Sequence, residues 1–196
     1  MASVLIPLAP GCEELEAITL IDLLRRAQID VVSAGLAPGP VTCSRGTVIV
    51  PDMNLDDALK RDYDMVVLPG GQPGATHLEK DPRIIQLLQT MARAQKYTAA
   101  ICAAPKVLAV AGLLKGKRAT AYPGTLENAA FADLQIEQHD SVVTDGKVLT
   151  SRGPGTAMDF ALELIKVLMG QKKRDEVETG LVRPPEHTLS RAPHGK

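Results

Sequence analysis

Short apolar runs alternate along this chain with stretches of helical spacing. Ser3–Leu8 is an apolar run that ends at Pro10-Gly11, the pattern of a buried strand followed by a turn. Between Glu13 and Gln28 the residues Leu15, Ile18, Leu20, Ile21, Leu23, Leu24 and Ala27 recur at helical intervals and predict a helix with a wide apolar face. Glu13, Glu14 and Glu16 in its first turn, and Arg25 and Arg26 in its last, match the sign of the helix dipole. Ile29–Ala34 predicts a second strand. Val41–Ser44 and Thr47–Val50, parted at Arg45-Gly46, predict a hairpin. Met65–Leu68 reads as a buried strand closed by Pro69-Gly70-Gly71, and Pro82–Gln95 as a helix with proline in its first turn. Tyr97–Ile101 predicts a strand and Ala103–Ala111 a short helix. Arg118–Ala121 and Lys147–Thr150 predict further strands, and Pro154–Met169 an amphipathic helix stopped by Gly170.

Continuously apolar strands separated by helices imply an α/β fold: a three-layer sandwich of a mostly parallel sheet with helices on both faces. The 196 residues are read as one domain over 1–182 and a tail over 183–196, the latter holding three prolines and two histidines. An apolar fraction of 45% and a charged fraction of 23% fit an ordinary globular chain. A net charge of -1 lacks the basic footprint of a dedicated nucleic-acid binder. No apolar run approaches the ~20 residues that span a bilayer. The first residues turn acidic without a basic region, unlike a signal peptide. Three cysteines make no disulfide framework and none are spaced as CxxC; the expected compartment is a reducing cytoplasm.

In open α/β sheets ligands bind beyond the carboxyl ends of the strands. Cys12 to Glu16, Gly70-Gly71, Cys102 and Arg152-Gly153-Pro154 all follow predicted strands, so a thiol, a carboxyl and a glycine turn share one rim. Cys102 lies between strand and helix among Ala100, Ala103 and Ala104. That is the setting of a nucleophile elbow, where a helix N-terminus lowers a thiol pKa. It is equally the setting of a buried cysteine that fills a core gap. Gly70-Gly71 can present an oxyanion-binding pair of N–H groups or form a plain turn. Any of the three glutamates can serve as a helix cap. One of them beside a thiol at an apolar rim would have its pKa raised and could move a proton. His77, placed in a loop, His139, His187 and His194 show no tie to a nucleophile, and no metal-binding spacing or phosphate loop is present.

Leu68-Pro69-Gly70-Gly71, Ala99-Ala100-Ile101-Cys102-Ala103-Ala104-Pro105 and Thr150-Ser151-Arg152-Gly153-Pro154-Gly155-Thr156, with Glu13-Glu14-Leu15-Glu16 and Cys43-Ser44-Arg45-Gly46, resemble the ThiJ/PfpI superfamily. In order and in content these motifs are similar to its Parkinson-disease protein deglycase branch and that branch's bacterial YajL-like relatives. The resemblance spans about residues 3 to 182. It implies a flavodoxin-like sandwich, a homodimer and no cofactor. It implies Cys102 as nucleophile, oxidisable to a sulfinic acid, Glu16 as its paired carboxyl, and backbone N–H groups at Gly70, Gly71 and Ala103 around an oxyanion. Tyr122, Arg45, Arg152 and Pro154 are expected around the substrate. Human-type members have His where this chain has Tyr122, a poor base at neutral pH.

Members of this branch are described as glutathione-independent glyoxalases, protein deglycases and oxidative-stress chaperones. The expected function is thus a cysteine-dependent enzyme acting on small reactive aldehydes such as methylglyoxal or on glycated adducts. The alternative is a redox-sensing holding chaperone that uses the oxidisable cysteine. A peptidase is disfavoured because Ala103 stands where the peptidase branches carry His after the nucleophile.

Overall fold

The structure is a computed structural model that describes residues 1–127 and 133–183. Its centre is a seven-stranded sheet built from β1 (Ser3–Leu8), β2 (Asp30–Gly35), β5 (Met53–Asn54), β6 (Met65–Leu68), β7 (Tyr97–Ile101), β10 (Val142–Asp145) and β11 (Val148–Ser151). The spatial order is β10-β11-β7-β6-β1-β2-β5. Neighbours run parallel except β10, which returns antiparallel against β11 at the edge. Two small ribbons stand apart: the hairpin β3 (Val41–Thr42) and β4 (Val48–Ile49), and the parallel pair β8 (Arg118–Ala119) and β9 (Gln135–Ile136). Arg118–Ala121 therefore contributes a two-residue strand outside the main sheet.

Strand alternation sends successive side chains to opposite faces, and each face has its own helical cover. Val4, Ile6, Leu8, Met65, Val67, Ala99 and Ile101 pack beneath α1 (Glu14–Arg26) and α6 (Ala157–Met169), with α7 (Gln171–Gly180) beyond. Leu5, Val66, Leu68 and Ala100 pack on the other face, beneath α2 (Leu55–Ala58), α3 (Gly74–Lys80), α4 (Pro82–Arg93) and α5 (Pro105–Val110). Burial on both sides is why these strands read as unbroken apolar runs. The expected flavodoxin-like sandwich is the fold observed.

Several predicted elements are trimmed. The helix expected from Glu13 begins at Glu14, with Glu13 as its N-cap accepting from the Glu16 N–H at 2.8 Å. The helix expected from Pro154 opens with a 3-10 turn, Pro154–Thr156, before α6. His77, expected in a loop, lies on α3 with Nδ1 2.8 Å from the Pro10 carbonyl. The larger correction concerns the face of α1. Leu15 and Ile18, expected in the core, are 52% and 47% exposed, whereas Glu16, Ala17, Leu20, Leu23 and Leu24 are buried. The apolar arc of this helix is wider than the surface that sheet and α6 can cover, and the arc centred on Leu20 wins. Of the tail expected over 183–196, all but Arg183 lies outside the described residues.

Candidate active site

Four adjacent strands, β11, β7, β6 and β1, point their carboxyl ends to one rim. Cys102 follows β7 directly, in the left-handed region at φ 63. A non-glycine residue there is strained, and at a strand-to-helix turn the strain aims the side chain out of the sheet toward the rim. Two backbone bonds hold the turn: the Cys102 N–H donates to the Ser151 carbonyl at 2.9 Å, and the Tyr122 N–H donates to the Cys102 carbonyl at 2.8 Å. Cys102 is 7% exposed, so its thiol meets solvent only at a narrow opening.

Glu16 comes to the same point from the first turn of α1 and is completely buried. Its Oε2 accepts from the Gly70 N–H at 2.8 Å, while Oε1 has no hydrogen-bond partner among the described residues. Gly70 is wedged between the two side chains. A Cβ there would lie 2.7 Å from Cys102 Cβ, 2.8 Å from the Ile101 carbonyl oxygen and 2.9 Å from Glu16 Oε2. Gly71, at φ 86, would press a Cβ to 2.4 Å from the Glu13 nitrogen. The Glu13 N–H in turn donates to the Gly70 carbonyl at 3.0 Å. The glycine pair therefore sets the distance between the helix that carries Glu16 and the turn that carries Cys102.

The three first-turn glutamates divide their tasks. Glu13 caps the helix. Glu14 receives the hairpin, accepting from the Ser44 hydroxyl and from the Arg45 and Thr47 N–H groups. Burial first, opposed by the Gly70 N–H and Cys102, pushes Glu16 up to about 7. Burial and then the Glu16 charge push the Cys102 thiol up to about 12, while the Gly71 and Ala103 N–H groups act to lower it. Burial and the Glu16 charge act against the lowering expected from a helix N-terminus. The helix α5 starts only at Pro105 and spans 6 residues, so its dipole is weak beside burial and an adjacent carboxylate.

Both shifts describe one coupled pair, in which either charge opposes the other and a proton on one group eases ionisation of its neighbour. With that proton on Glu16, the charge opposing the thiolate is gone. The carboxyl can then donate toward the sulfur, and the two backbone N–H groups face a thiolate. The arrangement therefore holds a thiol and an ionisable carboxyl side by side in a nearly dry site.

Of the remaining candidate residues, Tyr122 reaches this centre through its backbone N–H, while the cavity it lines with Arg152 includes neither Cys102 nor Glu16. Tyr122 is 54% exposed, and its ring lies 3.6 Å from where a Gly153 Cβ would stand. Tyr122 and Arg152 line a cavity of about 90 Å³ together with Glu127 and His139. His139 had carried no signal in the sequence, because its neighbours in the fold are distant in the chain. Pro154 opens the 3-10 turn beyond Arg152. Arg45 stands exposed on the hairpin, where its backbone serves Glu14. Among the described residues no group of three or more His, Cys, Asp or Glu could hold a metal ion, and no helix is long and apolar enough to cross a membrane.

Comparison with known proteins bears on the family and the fold. The zebrafish Parkinson disease protein 7 homolog is 41% identical over 180 residues, covering 91% of this chain and 95% of the relative. The glutathione-independent glyoxalase DJR-1.2 of Caenorhabditis elegans is 36% identical, covering 89% of this chain and 93% of the relative. The crystal structure of Drosophila melanogaster DJ-1beta superposes with a TM-score of 0.89 at 41% identity, covering 94% of this chain and 99% of that one. Residues 2–167 match the DJ-1/PfpI family, and the chain is a member of it.

Proposed function

We propose that this protein is a cysteine-dependent enzyme that converts small 2-oxoaldehydes such as methylglyoxal to 2-hydroxy acids without glutathione. The observation that carries the reading is the buried Glu16 carboxyl, one oxygen unpartnered, coupled to a thiol held at positive φ. A similar protein is named a glutathione-independent glyoxalase, which supports the same chemistry.

The Cys102 thiolate attacks the aldehyde carbon, and the carbonyl oxygen takes up the Glu16 proton as the hemithioacetal forms. The Gly71 and Ala103 N–H groups lie beside the sulfur and ease the negative charge that passes from sulfur to oxygen. Glu16, now ionised, removes the proton from the former aldehyde carbon to give an enediolate; the hydroxyl proton passes to the neighbouring oxygen, and Glu16 returns its proton to the neighbouring carbon. The product is a thioester of the 2-hydroxy acid. Water cleaves that thioester, releasing the acid and restoring Cys102. A carboxyl poised near 7 serves both directions of transfer at neutral pH. Tyr122, bonded through its N–H to the Cys102 carbonyl, lines with Arg152 a cavity where a hydroxyl donor and a cation suit the oxygens of a dicarbonyl or of a glycated adduct. The test is lactate formation from methylglyoxal by wild type and Cys102→Ala in the absence of glutathione. Loss in the variant is expected, and undiminished turnover overturns the reading.

The same reading takes a second copy of the chain as partner. Leu15 and Ile18 on α1, and Val48 and Val50 at 59% and 77% exposure by the hairpin, are large apolar groups in water. Glu14 joins the two elements through Ser44, Arg45 and Thr47. A homodimer covers that strip, and sedimentation equilibrium is expected to give a dimer for wild type and a monomer for Val50→Asp.

A further inference from the structure

Two cysteines have no task in the chemistry above. Cys12 lies between β1 and α1, and Cys43 directly follows β3. They are 31 positions apart in sequence, yet their Sγ atoms are 3.5 Å apart in the fold. Two backbone hydrogen bonds flank the pair and hold the segments together. The Gly11 N–H donates to the Thr42 carbonyl at 2.8 Å, and the Ser44 N–H donates to the Cys12 carbonyl at 2.8 Å. A disulfide needs the sulfurs at about 2.05 Å, so closure moves each by less than about 1 Å. Both are free thiols, Cys12 fully buried and Cys43 at 5% exposure.

We propose that Cys12 and Cys43 form a second redox site, separate from Cys102, that closes reversibly to an intramolecular disulfide under a hydroperoxide. Cys43 reacts first, because it is the less buried of the two. Its thiolate attacks one peroxide oxygen and the O–O bond breaks. Cys43 becomes a sulfenic acid, and the leaving hydroxide takes the thiol proton as water. Cys12 sulfur then attacks Cys43 Sγ. The S–S bond forms, the S–O bond breaks, and hydroxide leaves with the Cys12 proton as a second water. Two thiols lose two electrons and the peroxide gains them. Burial raises both thiols, and the Glu14 charge raises them further, so the thiolate fraction is small and closure is slow. The pair therefore answers sustained oxidant. Its disulfide ties the hairpin to the segment that leads into Glu16. That segment is already packed against the glycine turn, where a Cβ on Gly71 would lie 2.7 Å from the Cys12 carbonyl carbon.

Trypsin cuts after Arg25, Arg45, Lys96 and Lys106, so the three cysteines fall on three peptides. Cys102→Ala protein is incubated with hydrogen peroxide, blocked with N-ethylmaleimide under denaturing conditions, and digested without reductant. The expected result is one cross-linked species joining the Cys12 and Cys43 peptides, lighter than their sum by two hydrogens and dissolved by dithiothreitol. It runs as a monomer on a non-reducing gel. The oxidised protein is expected to melt about 5–10 °C above the reduced form, because the bridge closes a long loop in the unfolded chain. Cys43→Ser in the same background should show neither change. Wild type should give the same cross-link while Cys102 gains oxygen on its own peptide. Recovery of Cys12 and Cys43 as free maleimide adducts after prolonged peroxide overturns the proposal, as does their separate conversion to sulfinic acids or cross-linking between chains. Because the Cys102→Ala background has no nucleophile for carbonyls, this result stands or falls independently of the glyoxalase reading.

Discussion

Replacing Glu16 by Gln removes one ionisable proton from the centre of the site with almost no change in volume. The carboxyl is fully buried and raised from 4.5 to about 7. A gap of that size corresponds to about 3 kcal/mol at 1.36 kcal/mol per pH unit. The direction follows from which state holds the proton more tightly. The folded chain does, so the contribution of Glu16 to stability is fully present below pH 4.5 and is lost as pH rises through about 7. Gln keeps a neutral donor at all pH. The stability of Glu16→Gln relative to wild type is therefore expected to rise by about 3 kcal/mol between pH 4.5 and 8, as read from urea unfolding of both proteins. Other titrating groups cancel in the difference. Methylglyoxal turnover should fall at least ~10²-fold, the low end for a general acid–base group. Iodoacetamide labelling of Cys102 should persist, with its pH midpoint moved down, because no carboxylate charge opposes the thiolate. A stability difference that does not change with pH would refute the buried, raised carboxyl. Unchanged turnover would refute its role in proton transfer.

Gly70→Ala forces a Cβ to within 2.7 Å of Cys102 Cβ, against neighbours that include backbone. Denaturant titration should show a loss of about 1–3 kcal/mol, and turnover should drop more than the stability loss explains, since the carboxyl–thiol distance is disturbed. Tyr122→Phe removes a neutral donor worth about 0.5–1.5 kcal/mol, so turnover should fall by roughly tenfold at most. Tyr122→His should equal or exceed wild type and add a limb near ~6–7 to the pH–rate profile. A Tyr122→Phe loss as large as that of Cys102→Ala would show a direct catalytic part for the hydroxyl. Under limiting iodoacetamide, peptide mass mapping should find Cys102 modified before Cys12 or Cys43, and the reverse order would remove it as the nucleophile.

What the chain determined by itself was the alternation of elements and the sites where it turns. Met65–Leu68 and Tyr97–Ile101 were legible to the residue, because strands covered on both faces must be apolar throughout. Gly70-Gly71 and Cys102 were legible as strand-end features, since strand ends carry punctuation. Cross-chain relations were not. The choice of Glu16 over Glu13 and Glu14 rests on which arc of α1 the sheet covers, and exposure of Leu15 and Ile18 shows that periodicity alone misassigns that arc. The two-residue strands β5 and β9 carry too little pattern to stand out, and exist through their partners. Burial and a carboxylate 86 positions away in the chain raise the Cys102 thiol, and neither is visible in the local strand-to-helix pattern. The contact between Cys12 and Cys43 likewise exists only once the hairpin folds onto the start of α1. Local sequence sets which backbone shapes are cheap. Proximity, dielectric and proton sharing belong to atoms that only the packed sheet brings together.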